Sequence, residues 1–159
     1  MENIGFIEIL MILQTIIGGN GTIGKEVAKQ LHDMNIQVRI ASRTPKKVNA
    51  NDQVFAMDVF NEQSVSEAIK GSSVVYLILG LPYKDQVWLY GFPKAVRAVI
   101  NACKKEGAKL VYFDNVYMYG RVDGTMTEDL PSKPDSVKGT ARMIAADCIS
   151  EAIKSQELQ

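Results

Sequence analysis

The stretch IIGGNGTIGKEVAKQL, residues 16–31, places Gly18, Gly19, Gly21 and Gly24 within seven residues. Glycine loses more conformational freedom on folding than any other residue, so this density calls for a physical reason. Upstream, MILQTII (residues 11–17) reads as a buried strand. Downstream, Val27, Ala28 and Leu31 recur at helical spacing, and Asn35 is placed to close that helix in a left-handed conformation. The glycines therefore fall at a strand-to-helix junction. There Gly18, Gly21 and Gly24 spell G-x-x-G-x-x-G. Such a turn uses backbone angles closed to larger residues.

Working outward, the chain alternates strand and helix signals. IQVRIAS, QVFAMDV, SVVYLIL and AKLVYFD read as further strands. NEQSVSEAIKG is a helix opened by Asn61 or by a Ser64–Glu67 capping box, and stopped by Gly71. FPKAVRAVINACKKEG opens with Pro93 and closes at Gly107. TPKKVN (residues 44–49) gives at most one helical turn, and the polar stretch around Gly124, Pro131 and Pro134 reads as a loop. SVKGTARMIAADCISEAIKS forms a last helix. Repeated strand–helix–strand units imply right-handed crossovers and a parallel sheet covered on both faces. The expected fold class is α/β, a Rossmann-type doubly wound parallel sheet of about five strands in the order 3-2-1-4-5. Residues 11–159 form one such domain, and residues 1–10 are read as an amino-terminal extension.

Composition narrows the function. Lys plus Arg (18) balance Asp plus Glu (18), so net charge points to neither a nucleic-acid nor a membrane partner. The opening residues carry Glu2 and Glu8 and lack a basic segment, so they do not read as a signal peptide, and they are too short and interrupted to span a bilayer. One histidine (His32) and two cysteines (Cys103, Cys148) offer no metal-ligand spacing and no His-based triad. Two reduced thiols fit a cytoplasmic protein.

A glycine motif that follows a strand and opens a helix within a βαβ unit is the setting of a dinucleotide site. Residues Gly18, Gly19, Asn20, Gly21, Thr22, Ile23 and Gly24 are the expected cradle. Their backbone N–H groups can approach a pyrophosphate at the positive end of a helix, and Gly24 lets helix and strand pack closely. The competing reading is a tight structural turn that binds nothing. At the end of the second strand an NAD-specific site usually carries an acid that bonds the ribose 2′-hydroxyl. This chain has Ser42 and Arg43 instead. A hydroxyl and a guanidinium suit a 2′-phosphate, so the expected cofactor is NADP(H) in preference to NAD(H). Asp58, with Val59 beside it, can accept from the adenine amino group or cap the next helix. Leu79, Gly80 and Leu81 should pass close to the nicotinamide-side ribose.

With GGNGTIG, SRTP, MDV, YLILGLPY and VYFDNVYMYG in view, residues 11–154 resemble the extended or atypical short-chain dehydrogenase/reductase superfamily. Within it they are most similar to the NAD(P)-dependent sugar-nucleotide epimerases and dehydratases. The resemblance implies a Ser or Thr after strand five and a Tyr-x-x-x-Lys pair on the next helix, with the Tyr as acid/base. Here the Ser/Thr position is Asn115, the Tyr position falls on Lys138 and the Lys position on Arg142. Lys138 is thus the implied proton carrier, with Asn115 as a further catalytic candidate and Tyr117 and Tyr119 as other proton carriers ranked below Lys138. Lys138 and Arg142 are also implied cofactor contacts. Arg142 stays protonated and can bind but not act as a base. The plainer reading makes both ordinary charges near a helix start. The implied substrate is a nucleotide-sugar or a small carbonyl compound. Members of the family continue with two more strands and a carboxyl-terminal substrate region, so most of a sugar-nucleotide pocket is expected to be missing. The last strand would then expose an edge, and a homodimer through it or through the last two helices is expected. An alternative is a non-catalytic dinucleotide-binding sensor or partner-binding module. Tyr83 and Trp88 are read as packing residues rather than as site residues.

Overall fold

The computed structural model describes residues 12–158; the expected extension at residues 1–10 lies outside them. Five strands form one sheet: β1 (Leu13–Ile17), β2 (Gln37–Ser42), β3 (Gln53–Ala56), β4 (Ser72–Leu77) and β5 (Lys109–Tyr112). Every pairing is parallel, and the order is β3-β2-β1-β4-β5, as the alternating sequence pattern predicts. All five residues of β1 are buried. Its two polar side chains are both satisfied: Gln14 Oε1 accepts from Tyr76 Oη at 2.9 Å, and the Thr15 hydroxyl pairs with Ser72 Oγ at 2.7 Å.

Four helices cover the sheet: α1 (Thr22–Asp33), α2 (Glu62–Ile69), α3 (Phe92–Glu106) and α4 (Val137–Lys154). One face carries α1 alone, with Ala28 and Leu31 packed on Ile16, Val38 and Ile40. The other face carries α2, α3 and α4 over a larger core that runs from Ile17, Val75 and Leu77 through Val65, Phe92, Val96 and Ala141. Helix ends follow local chemistry. Asn61 caps α2 by accepting from Ser64 N–H at 3.0 Å, which decides between the two starts left open by the sequence. Ser136 caps α4 through Gly139 N–H at 3.1 Å. Asn35, at φ 59°, turns the chain out of α1 as expected.

Three local features add to the sequence reading. Residues 44–49 form no helical turn; Asp52 folds this segment by accepting from the N–H groups of Val48 (3.0 Å) and Asn49 (2.7 Å). The VYMYG stretch past β5 forms a 3-10 turn, Val116–Tyr119, capped by Asn115. Immediately before α3 lies a π-helical turn, Val87–Gly91, which seats Trp88 on Phe92 with rings stacked 5.2 Å apart. Widened turns of this kind leave no sequence signature beyond ordinary helical residues.

Candidate functional site

At the carboxyl ends of the strands, β1 leads to β2 on one side while β4 leads to β5 on the other. This divergence is the switch point at which open α/β sheets bind ligands. The first turn after β1 is held down firmly: Gly18 N–H donates to Ala41 O at 3.0 Å and Ile78 N–H donates to Ile17 O at 3.0 Å. Gly18 has φ 83°, and a Cβ there would collide with the Ile78 carbonyl. At Gly24 a Cβ would stand 2.5 Å from Gly19 Cα and 2.8 Å from Gly18 O, so α1 can approach the loop only without a side chain. Gly21 caps α1 with no side-chain bond, and the first turn carries no acid. The N–H groups of that turn therefore keep their donors free, beside the positive end of the helix.

Above this loop opens a cavity of about 380 Å³, within the range of small-molecule and cofactor pockets. Its walls bring together four segments distant in sequence: Gly18 and Gly21; Ser42 and Arg43; Asp58 and Val59; Leu79, Gly80 and Leu81. Arg43 is exposed and makes no ion pair among the described residues. Arg39 shows the contrast: its guanidinium is used up on Gln53, Ala68 O and Lys70 O. Asp58 does not cap α2, a role taken by Asn61. Asp58 lines the cavity, and its Oδ1 accepts from Phe60 N–H at 3.0 Å as a local turn.

The remaining sequence candidates sit elsewhere. Gly19 packs on Ile40 and Gly24 on the loop itself, so both are space-making residues. Thr22 and Ile23 open α1 without lining the cavity. Asn20 spends its side chain on Lys46. Lys138 stands with Nζ 3.3 Å above the Tyr83 ring, one residue from Pro82 in the cavity wall. Asn115 accepts from Tyr117 N–H at 3.1 Å, and Tyr117 is about half exposed. Arg142 differs most from the role its helical spacing implies. It is buried, with Nη1 3.1 Å from Asp114 Oδ1 and 3.2 Å from Tyr112 Oη, and its guanidinium lies 4.3 Å over the Phe92 ring. Burial and the nearby Asp114 carboxylate raise the Tyr112 phenol well above its ordinary value, outweighing the opposing pull of Arg142. This arginine ties α4 to the end of β5.

Sequence reading missed Met57, Phe60, Pro82 and Val87 in the cavity wall. Their neighbours Asp58 and Leu81 were found because they are adjacent to strand ends. Phe60 and Val87 reach the cavity from the following turns, where apolar residues look like ordinary core. Among the described residues there is no cluster suited to a metal ion, and no helix is long and apolar enough to cross a membrane.

Comparison with known proteins agrees with this geometry. The mouse sterol-4-alpha-carboxylate 3-dehydrogenase, decarboxylating, is 28% identical over 123 residues, which are 74% of this chain and 34% of that protein. The solved uronate dehydrogenase from Agrobacterium tumefaciens superposes with a TM-score of 0.82 at 16% identity, over 92% of this chain and 57% of that one. The UDP-glucose 4-epimerase of Thermus thermophilus, solved in complex with NAD, gives 0.81 at 18% identity, over 93% and 53%. The chain thus spans about a third of the mouse relative and little more than half of these structures. Residues 18–147, from the first glycine of the cradle to the middle of α4, match the profile of a family described as NAD(P)H-binding. The chain belongs to that NAD(P)H-binding family and has the Rossmann fold of the short-chain dehydrogenase/reductase epimerases and dehydrogenases its motifs resemble.

Proposed function

We propose that the cavity binds a nicotinamide dinucleotide and prefers NADP(H) to NAD(H). One observation carries this reading: a single cavity gathers the glycine loop, the Ser42–Arg43 pair, Asp58 and the Leu79–Leu81 segment. The donor set fits the ligand. Free N–H groups at the start of α1 suit a pyrophosphate. Ser42 and an unpaired Arg43 suit a 2′-phosphate, which a planar guanidinium can meet with two parallel bonds. Asp58 keeps one carboxylate oxygen for the adenine amino group, and Phe60, Leu79 and Val87 supply apolar walls for flat rings. Fluorescence titration of NADPH and NADH tests the preference. About tenfold or more in favour of NADPH is expected, and Arg43→Ala should erase it. Equal affinities in the unaltered protein would overturn the NADP(H) reading.

A nicotinamide held there supplies a hydride donor or acceptor, which suits an oxidoreductase or epimerase-like reaction on a nucleotide-sugar or small carbonyl compound. In that reading Lys138, beside the Pro82–Tyr83 rim, holds or moves the proton, with Asn115 and Tyr117 nearby at the end of β5. A non-catalytic sensor or partner-binding module is the second reading. It is favoured by a specific observation: Lys138 is seated on Tyr83, Asn115 caps a turn, and neither lines the cavity. Hydride transfer to generic carbonyl acceptors or UDP-sugars separates the two. Turnover that falls in Lys138→Met supports catalysis, and tight NADPH binding without turnover supports the module. We propose, finally, a homodimer through β5, an edge strand among the described residues, with Val111 and Phe113 exposed beside it. Sedimentation of the unaltered chain against Val111→Lys checks this.

A further inference from the structure

The strongest unabsorbed feature is what Asn20 does. It lies in the middle of the glycine loop, yet its side chain faces away from the role of a phosphate ligand. Its Nδ2 donates to Lys46 O at 2.7 Å, and its Oδ1 accepts from Lys46 N–H at 2.9 Å. Ser42 Oγ donates to the same Oδ1 at 3.4 Å. One amide thus pairs with both backbone groups of Lys46, as a neighbouring strand would, and touches the last residue of β2 as well. The segment it brackets is Arg43-Thr44-Pro45. Pro45 has a fixed φ, which further narrows the shapes those three residues can take.

We propose that Asn20 is the positioning residue for cofactor selectivity: it ties the segment that presents Arg43 to the loop that receives the pyrophosphate. This deepens the NADP(H) reading and rests on it. The physical need is clear. An exposed arginine on an untethered loop must be ordered each time it binds an anion, and that ordering opposes affinity. Residues 43–52 form no helix that would supply order. Order comes instead from Asn20 at one end and from Asp52 at the other, with Asn49 Nδ2 donating to Ala28 O at 3.0 Å between them. Among the described residues, only the hydrogen bonds of Asn20 join this segment to the glycine loop. Lys25, Lys46 and Lys47 border the far side of the clamp, while Lys29 there is paired with Glu26.

The test uses two ligands that differ by one group, 2′,5′-ADP and 5′-AMP, titrated against the full chain by calorimetry. The unaltered protein should prefer 2′,5′-ADP. Asn20→Ala should lower that preference by about tenfold, the scale of one or two lost hydrogen bonds, while 5′-AMP binding changes little. Asn20→Ser should resemble the alanine variant, because a serine is too short to span to Lys46. A residue that merely favoured the start of α1 would instead be rescued by serine. In the ligand-free protein, amide exchange at Lys46 should be slow and should quicken in both variants. Retention of the full preference in Asn20→Ala would overturn the proposal, as would rescue by serine or an unprotected Lys46 amide in the unaltered chain. The underlying reading fails differently. If the unaltered protein does not distinguish the two ligands and Arg43→Ala changes nothing, the NADP(H) preference falls and the role of Asn20 with it. If Arg43→Ala abolishes the preference while Asn20→Ala keeps it, only the role of Asn20 falls.

Discussion

The two ends of the cleft handle polar groups in opposite ways. On the β1–β2 side, Asn20 and Asp52 fasten backbone to backbone, and the group with chemistry to offer, Arg43, is left free and exposed. On the β5–α4 side, the cations are turned onto neighbouring side chains: Arg142 Nη1 is closed on Asp114 and Tyr112, and Lys138 lies on Tyr83. The first arrangement orders the backbone and leaves donors available to a ligand. The second joins a helix to a strand and leaves few donors available. The contrast teaches that shared helical spacing does not carry a role with it. Lys138 and Arg142 stand where the resemblance implies the family's Tyr and Lys, and here one cation lies over Tyr83 and the other over Phe92.

The sharpest way to break the comparison is to destroy the open side. Gly24→Val would force a Cβ against Gly19 Cα and Gly18 O, both backbone atoms that cannot swing aside. We expect a loss of about 3 kcal/mol in stability by denaturant titration, the upper end of overpacking costs, together with loss of NADPH binding. Binding that survives in this variant would show that the glycine loop is not the cradle.

The closed side should break with nearly the same cost in stability. Arg142→Met leaves the Asp114 carboxylate, with a side chain only 19% exposed, without its partner. Removing one member of a buried pair costs about 3 kcal/mol or slightly more, and in a chain of this size that lowers the melting temperature by roughly 6–12 °C. Asp114→Leu in the same chain removes the stranded charge. The double variant should return to within about 1 kcal/mol of the original, since apolar replacements of buried pairs are often neutral. A double variant no more stable than the single one would mean that Arg142 acts through its packing on Phe92 and not through charge.

The glycine turn and the strand order were legible because they depend on local rules: a positive φ, a close approach, a buried run of strand length. Gly18, Gly21, Ser42, Arg43, Asp58 and Leu79–Leu81 were found for the same reason, since each sits at or just past a strand end and strand ends converge in this topology. Arg142 was not legible. Its fate depends on Tyr112 at the end of β5, on Asp114 just past it and on Phe92 on α3, which no spacing along α4 can reveal. The π-helical turn at Val87–Gly91 and the clamp of Asn20 on Lys46 are hidden for the same reason, as both are settled by tertiary contacts.

Alkaline titration sharpens the contrast at intermediate cost. Cys103 is fully buried on α3, and burial pushes its thiol from the ordinary 9.0 up to about 12. Above pH 9 the unfolded chain gives up this proton while the folded chain keeps it. The contribution to stability is therefore complete below pH 9 and is lost progressively toward pH 12. Tyr112, whose phenol is also raised from its ordinary 10.0, adds a loss of the same sign above pH 10. Denaturant curves at stepped pH should show this decline, and Cys103→Ala should flatten the part that begins near pH 9. Parallel curves for the two proteins would mean that burial of this thiol does not set the alkaline limit.

The smallest effect tests how tightly the closed side is held. The Lys138 ammonium sits 3.3 Å above the Tyr83 ring, but that ring is 81% exposed. A cation over an exposed ring contributes about 0.5 kcal/mol, so Tyr83→Ala should lower the melting temperature by roughly 1–2 °C. What matters is what the freed Lys138 then does. If the Tyr83 seat is all that withholds this cation from the cleft, Tyr83→Ala should make NADPH affinity more sensitive to salt, because one more positive charge becomes available to a ligand carrying several negative ones. An unchanged salt slope would mean that α4 itself, anchored by Arg142, keeps Lys138 away from the ligand, and the division between the two sides of the cleft would rest on the helix and not on the aromatic ring.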